Sequence, residues 1–136
     1  MPSTPELVLQ RVQAVLLGAT AAGARVERGR VDPFGVDELP ALNVRRGQTS
    51  HEPWAQGLDR VTLSFDVDVE VRGADWETEA DALHLSVDNL LTNDLTLAGL
   101  VRGLRCTATS PDAEKGDDVA GRLTATYQCQ LIQRRG

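Results

Sequence analysis

The chain has 136 residues and a formal net charge of −6, with 41% hydrophobic but only 4% aromatic residues. This length fits one domain spanning residues 1–136, whose core must be built from Val, Leu and Ala. The acidic balance disfavours a surface that binds nucleic-acid phosphates, and no apolar run approaches the roughly 20 residues of a membrane span. MPSTPELVLQ lacks the pattern of a signal peptide, so we expect a cytosolic compartment with both thiols reduced.

The first predicted element is a helix from Ser3 to Gly23. Ser3 and Glu6 have the spacing of a capping box. Either Gly18 or Gly23 can end the helix, and Gly23 is the favoured terminator. Its apolar face is predicted to consist of Val8, Val12, Val15, Leu16 and Ala19. The stretches ARVERG and PALNVRR then predict two short strands.

The segment RVERGRVDPFGVDELPALNVRRG, residues 25–47, is long for a connection in a small domain. It carries Pro33, Phe34 and Pro40 among several charges. Long ordered loops are usually functional, so this one is a candidate binding element. A polar connection is predicted to follow, from Gly47 to Gly57.

The strongest periodic signal is DRVTLSFDVDVEVRG, which predicts a long strand with one buried and one wet face. The residues predicted to face the core are Val61, Leu63, Phe65, Val67, Val69 and Val71. Asp66, Asp68 and Glu70 lie on the other face, about 7 Å apart along the strand. That spacing disfavours a shared metal ion, and a solvated face is the simpler interpretation.

A second helix is predicted in ADWETEADALHLSVDNLLTND, with Asp75 as its N-cap. Its apolar stripe is Trp76, Ala80, Leu83, Val87, Leu90 and Leu91. LRCTATS and AGRLTATYQCQLIQ predict two more strands, joined by an exposed connection, PDAEKGDD. The order of elements predicts an α+β fold, an antiparallel or mixed sheet with two helices packed on one face.

The sequence contains none of the common catalytic or nucleotide-binding motifs. It has no P-loop, no G-x-G-x-x-G, no G-x-S-x-G and no H-E-x-x-H. Cys106 and Cys129 fall on alternating strand positions, where core packing is the expected role. We therefore predict no catalytic residues, no cofactor and no metal site. His84 lies between the positions of the apolar stripe, so a solvent-facing or boundary position is expected rather than a ligand role. His51 with Trp54 in SHEPW is expected on a surface connection.

Several segments, taken in order, resemble the tail terminator or tail-completion proteins of long-tailed bacteriophages, a family similar to minor tail protein U of lambda-like phages. The resemblance runs from Leu7 to Leu131. Its most specific part is R-x-D-P-F followed by E-L-P-A-L-N-V and, at a distance, D-L-T-L-A-G-L. The other matching segments are LVLQRVQAVLLGATAAGARV, VTLSFDVDVEV, DWETEADALHLSVDNLLTNDLTLAGL and LTATYQCQL.

The resemblance implies a structural virion protein, assembled in the host cytoplasm. Such proteins form a homo-oligomeric ring, six-fold in known cases, on the head-proximal end of the tail tube. The ring stops polymerisation of the tail tube protein and offers a surface to the head–tail connector protein. DNA passes through it without specific binding, and no membrane is involved.

Two candidate surfaces follow from the ring expectation. A ring needs a heterologous contact between two different patches, which a long, proline-stiffened loop suits. The expected interface residues are Asp32, Pro33, Phe34, Asp37, Glu38, Leu39 and Pro40, although Phe34 and Leu39 could instead fold onto their own core. The acidic face of Asp66, Asp68 and Glu70 could line the channel and repel DNA, or lie on the outer wall.

Two alternatives to a tail terminator stay open. Related small α+β folds occur in other phage neck and tail-tube components. A small binding module that needs a partner chain is the second alternative, and its site would combine SHEPW with Asp37 and Glu38.

Overall fold

The computed structural model describes residues 3–94, 97, 99–115 and 119–134, without the side chains of residues 36 and 115. They form an α+β domain with one five-stranded mixed sheet, as the sequence predicted. The helices are α1 (Thr4–Leu16) and α2 (Trp76–Thr92), with a short 3-10 helix at Val36–Glu38. The strands are β1 (Val26–Arg28), β2 (Ala41–Ala55), β3 (Leu58–Arg72), β4 (Arg102–Lys115) and β5 (Val119–Arg134).

Helix α1 begins where the sequence predicted but ends earlier. The Ser3 Oγ accepts a hydrogen bond from the Glu6 N–H at 3.3 Å, as expected of an N-cap. The predicted end at Gly23 is wrong, because Leu17 leaves the helical conformation and Gly18 adopts a φ of 74°. The left-handed region costs glycine little, so the chain turns there and the helix stops. Ala19 is consequently exposed rather than part of the apolar face.

The strand order is β1-β2-β3-β5-β4, and only the β1–β2 pair is parallel. Two long antiparallel hairpins, β2–β3 and β4–β5, form most of the sheet. The predicted connection from Gly47 to Gly57 is wrong, because β2 continues to Ala55 and the chain turns at Gln56 and Gly57. Pro53 is tolerated because β1 pairs only with Leu42–Val44, which leaves the outer part of β2 as an edge.

The connection predicted in PDAEKGDD is also largely a strand. Pro111 to Lys115 belong to β4 and pair with β5, while residues 116–118 lie outside the described part of the chain. Both errors have one cause. Exposed ends of long hairpins bury little apolar surface, so their sequences lack the alternation that predicts a strand. The D-L-T-L-A-G-L segment is described only in part, with Leu97 fully buried.

One face of the sheet carries the core, as the alternation in β3 predicted. All six expected residues of β3 are at most 2% exposed. Phe65 pairs with Tyr127 of β5, and the two rings stack with centroids 5.4 Å apart. The Tyr127 hydroxyl donates to the Asp88 carboxylate of α2 at 2.9 Å, so its one polar atom is satisfied.

Both helices contribute to this single core. The buried stripe of α2 includes Ala80, Leu83, Val87 and Leu91, as predicted. Asp75 occupies the N-cap position but makes no side-chain capping bond. Trp76 packs over Gly121 so closely that a Cβ there would collide with the indole. Cys129 is buried, and Cys106 packs partly buried against the core.

Candidate assembly surface

The sheet face opposite the helices carries the residues that the sequence singled out. On β3 and β5, the alternation that turns Phe65 and Tyr127 towards the helices turns their neighbours to this second face. We call it the open face. The segment 29–40 lies against one end of the open face. The other end is formed by the β2–β3 hairpin near its turn, the start of β4 and the end of β5.

Asn43 fixes the start of the long loop on the open face. Its side chain is only 4% exposed, and it makes two hydrogen bonds to the backbone of Arg30. Asn43 Oδ1 accepts from the Arg30 N–H at 3.0 Å, and Asn43 Nδ2 donates to the Arg30 carbonyl at 2.9 Å. One amide side chain therefore replaces a strand partner for Arg30 and satisfies both backbone groups.

The side chain of Arg30 then organises the rest of the loop. Its guanidinium donates to both carboxylate oxygens of Glu38, at 3.1 and 3.0 Å, and to the backbone carbonyls of Asp32 and Pro33. It also lies 4.2 Å from the centre of the Phe34 ring. Glu38 Oε1 accepts a further bond from the Gly35 N–H at 2.9 Å. The loop is thus an ordered structure built around one cation.

The seven predicted interface residues all lie in this loop, but they differ in exposure. Asp32, Pro33 and Asp37 are exposed, whereas Phe34, Glu38, Leu39 and Pro40 are half-buried. Phe34 and Leu39 line a small groove together with Glu70 and Arg122 of the open face. The Phe34 ring rests on Arg30 and borders this groove, outside the hydrophobic core cluster of the described residues, and its contact with a neighbouring subunit stays a prediction.

Among the loop side chains that the structure describes, the most exposed apolar one is a residue that the sequence did not single out. Val31 is 94% exposed, directly after the clamped Arg30. Val31 lies between Arg30 and Asp32 with no periodic apolar pattern around it, so only its position in the folded loop reveals it. Its exposed side chain is therefore a candidate apolar contact for a partner.

The acidic row of the open face is paired rather than free. Asp68 is 1% exposed and accepts from Arg45 Nε at 2.6 Å, Arg45 Nη2 at 3.0 Å and Thr124 Oγ1 at 2.8 Å. Asp66 accepts from Thr126 Oγ1 at 2.7 Å and lies 3.4 Å from Arg45 Nη2. A solvated row, the simpler interpretation from the sequence, is therefore wrong for Asp68.

Glu70 completes the pattern at the end beside the loop. Its carboxylate accepts two bonds from Arg122, at 3.3 and 3.0 Å. The row thus sets three carboxylates against the two guanidinium groups of Arg45 and Arg122. The arginines come from the neighbouring strands β2 and β5, which sequence reasoning about β3 alone could not supply.

Electrostatics stabilises the ionised forms of these pairs. The Arg30 guanidinium holds the pKa of Glu38 below its ordinary value, and the Gly35 N–H acts in the same direction. Asp68 beside Arg45 raises the pKa of that guanidinium further. Burial alone raises the pKa of the Cys129 thiol to about 11, which makes it an unreactive core residue at neutral pH.

The residues predicted for a partner-dependent binding site lie far apart within one chain. SHEPW lies in the outer half of β2, where His51 Nδ1 is 3.9 Å from Asp59. Asp37 and Glu38 lie before the start of β2, about 30 Å away along the strand. Glu38 is moreover engaged by Arg30. The structure therefore separates the parts of that proposed site.

A second groove lies at the end of the open face far from the loop. Its volume is about 310 Å³, and it is lined by Trp54, Arg60, Leu100, Arg102, Gln130 and Ile132, among others. Trp54 is 55% and Ile132 is 39% exposed. The sequence had marked Trp54 as a surface residue, but only the pairing of β3 with β5 and of β5 with β4 assembles the groove.

Within the described residues, no group of three or more His, Cys, Asp or Glu side chains is placed to hold a metal ion. No helix among them is long and apolar enough to cross a membrane. His84 is half-buried, and its Nδ1 finds no hydrogen-bond partner in the described part of the chain.

Comparison with solved structures shows which known proteins share this fold. A chain of the virion of a native gene transfer agent particle is 15% identical, with a TM-score of 0.56, covering 96% of this chain and 95% of that chain. A second solved structure, whose name states no activity, is 17% identical with a TM-score of 0.50 and covers 90% and 89%. At these identities the likeness establishes a shared fold. No protein-family model and no curated protein sequence gives a significant match.

Proposed function

We propose that this chain is a structural protein of a phage-like virion, which closes the head-proximal end of a tail tube as a homo-oligomeric ring. In this role it is a tail terminator. The ring, six-fold by resemblance, stops addition of tail tube protein and offers its other side to the head–tail connector. Its work is assembly in the host cytoplasm, without catalysis, cofactor or membrane.

The observation that carries the proposal is the agreement of two independent comparisons. The ordered sequence segments resemble tail terminators, and the fold matches a chain of a virion along nearly its whole length. The first rests on ordered short segments of the sequence, and the second rests on a shared fold. They use different information, and both favour a virion protein.

The long loop is the proposed contact with a neighbouring subunit or partner. Arg30, Asn43 and Glu38 hold it in one conformation before any partner arrives. Preorganisation lowers the entropy lost on association. The loop then offers Val31 with Asp32, Pro33 and Asp37 at its surface, and the groove beside Phe34 and Leu39.

The open face around Asp66, Asp68 and Glu70 is proposed to face the channel. Because these carboxylates pair with Arg45 and Arg122, the lining is less negative than the sequence predicted. It is a nearly balanced row of threonines and ion pairs, with one carboxylate in excess, rather than a strongly repelling surface. Because Arg45 and Arg122 are both engaged by carboxylates of this row, the row offers DNA phosphates no strong attachment during passage.

The test is removal of the gene from a strain that produces the particles, followed by electron microscopy of the lysates. The proposal predicts tails of abnormal length and tails without heads, both corrected by the wild-type gene supplied in trans. Particles lacking tails altogether would place the chain in another neck or tube role. Normal virions would contradict the proposal.

A further inference from the structure

The groove at the far end of the open face combines apolar surface with positive charge. Trp54 and Ile132 expose apolar surface there. Arg102 lines it, and Arg105 lies three residues further along β4. Both are exposed, and neither forms an ion pair with any described residue. Such a surface favours a partner that brings an apolar side chain and carboxylates together.

Arg60, the second arginine that lines the groove, takes part in one exposed ion pair. Its Nε lies 2.9 Å from Glu52 Oε1, yet it has no partner in hydrogen-bond geometry among the described residues. Both side chains of this pair are well exposed, at 42% and 61%. An exposed ion pair of this kind contributes little and can exchange its partner.

The chain itself carries a surface of the complementary kind on helix α2. From Trp76 to Thr92 it has four carboxylates and no Lys or Arg. On its outer side Leu85 is 53% exposed, and Asp81, one turn earlier, is exposed as well. Residues four apart share a helix face, so Asp81 and Leu85 form one acidic and apolar patch.

We infer that the Trp54–Ile132 groove of one copy receives the Asp81–Leu85 patch of a second copy. The patch lies on the helix-covered side of the sheet and the groove on the opposite side, so one chain cannot join its own two surfaces. Two copies can join the groove of one to the patch of the other, and this contact is heterologous because it uses two different patches. Contacts of this type close into a ring when their rotation permits. The inference rests on the proposed ring and names its contact surfaces.

The test is a charge exchange between the two surfaces of the purified chain, followed by sedimentation analysis of its mass over a range of concentration. Asp81→Arg alone and Arg102→Glu alone each place like charges in the contact, and each should weaken association about tenfold. The double variant restores an opposite pair and should recover the wild-type association within about threefold. Higher salt should weaken the wild-type contact as well.

Matched controls separate the contact from general effects. Leu85→Ser should reduce association, whereas Leu17→Ser, at a position of nearly equal exposure, should not. Circular dichroism should show that all variants remain folded, since the altered side chains are exposed.

Three results would overturn the inference: single reversals with wild-type association, a double variant that fails to recover, or a wild-type chain that stays monomeric at every concentration. None of them decides the proposed function, which the lysates of the deletion strain test separately. If the deletion strain makes tails of abnormal length but the charge exchange does not change association, the proposed function stands and the proposed contact is wrong.

Discussion

The two faces of the central sheet use the same strands in opposite ways. On the helix-covered face, β3 and β5 present side chains that are nearly all excluded from water. On the open face, the same strands present threonines, ion pairs and one partly exposed isoleucine. The helix-covered face supplies the hydrophobic free energy of folding, while the open face is left free for contacts with other molecules.

The comparison also shows where order exists without a hydrophobic core. The loop 29–40 lies on the open side and is fixed by hydrogen bonds from the Arg30 guanidinium to Glu38 and from the Asn43 amide to the Arg30 carbonyl. Charged hydrogen bonds can hold such a loop, but they contribute less to global stability than a buried aromatic pair. Changes on the two sides should therefore differ in size and in what they affect.

The largest effect on folding is expected for Phe65→Ala. The ring is fully buried and stacked on Tyr127, so its loss should lower the free energy of unfolding by about 3–5 kcal/mol. Ser64→Ala, the neighbouring change on the open face, should alter it by less than about 0.5 kcal/mol. Denaturant titration measures the free energy of unfolding of both variants. Equal losses would contradict the claim that the helix-covered face stabilises the fold and the open face does not.

A smaller loss is expected for Asp68→Ala, the one open-face carboxylate that is fully buried. The change leaves Arg45 and Thr124 without their acceptor, at a cost of about 1–3 kcal/mol. Replacing the less buried Asp66 by Ala should cost less. If Asp68→Ala proves neutral in the same titration, the open face contributes nothing to folding through this network.

Changes in the loop are expected to affect assembly more than folding. Phe34→Ser removes the contact with Arg30 and should lower the free energy of unfolding by no more than about 1 kcal/mol. Val31→Ser should leave it within about 0.5 kcal/mol. Both variants should associate more weakly with neighbouring subunits or partners, as measured by sedimentation. A Phe34→Ser chain that unfolds would assign the loop to the core.

The smallest effect is expected from lowering the pH, which weakens the Glu38–Arg30 pair of the loop. The folded pKa of Glu38 lies below its ordinary value of 4.5 because Arg30 stabilises the carboxylate. The contribution of this pair is therefore complete above that ordinary value and is lost as the pH falls through the folded pKa. The protection of the amides in residues 30–38, corrected for the intrinsic pH dependence of exchange, should fall below about pH 4.5 while β3 stays protected. Glu38→Gln should remove this pH dependence.

The sequence predicted those parts of the fold whose burial is periodic. The alternation of Val61 to Val71 and the stripe of α2 were both confirmed, because apolar burial leaves a regular pattern. The outer halves of β2 and β4 were missed, because strand pairing there does not depend on burial. The early end of α1 at Leu16 was missed because either Gly18 or Gly23 could stop it.

The sequence could mark candidate residues, but it could not predict the contacts that hold them in place. The sequence marked residues 32–40, yet the groups that hold them, Arg30 and Asn43, act through contacts that only the folded chain brings together. Likewise Asp66, Asp68 and Glu70 were predicted to share a face, but Arg45 and Arg122 come from other strands. Long-range pairing of charges carries no local signal in a single sequence.

The most direct test of a folding face and an assembling face is amide hydrogen exchange of the chain before and after ring formation. The account predicts new protection in the loop around Val31, in the groove around Trp54 and Ile132, and on the outer turn of α2 near Leu85. The amides of β3 around Phe65 should be protected equally in both states. Rings that form with unchanged exchange at all three surfaces would contradict the account.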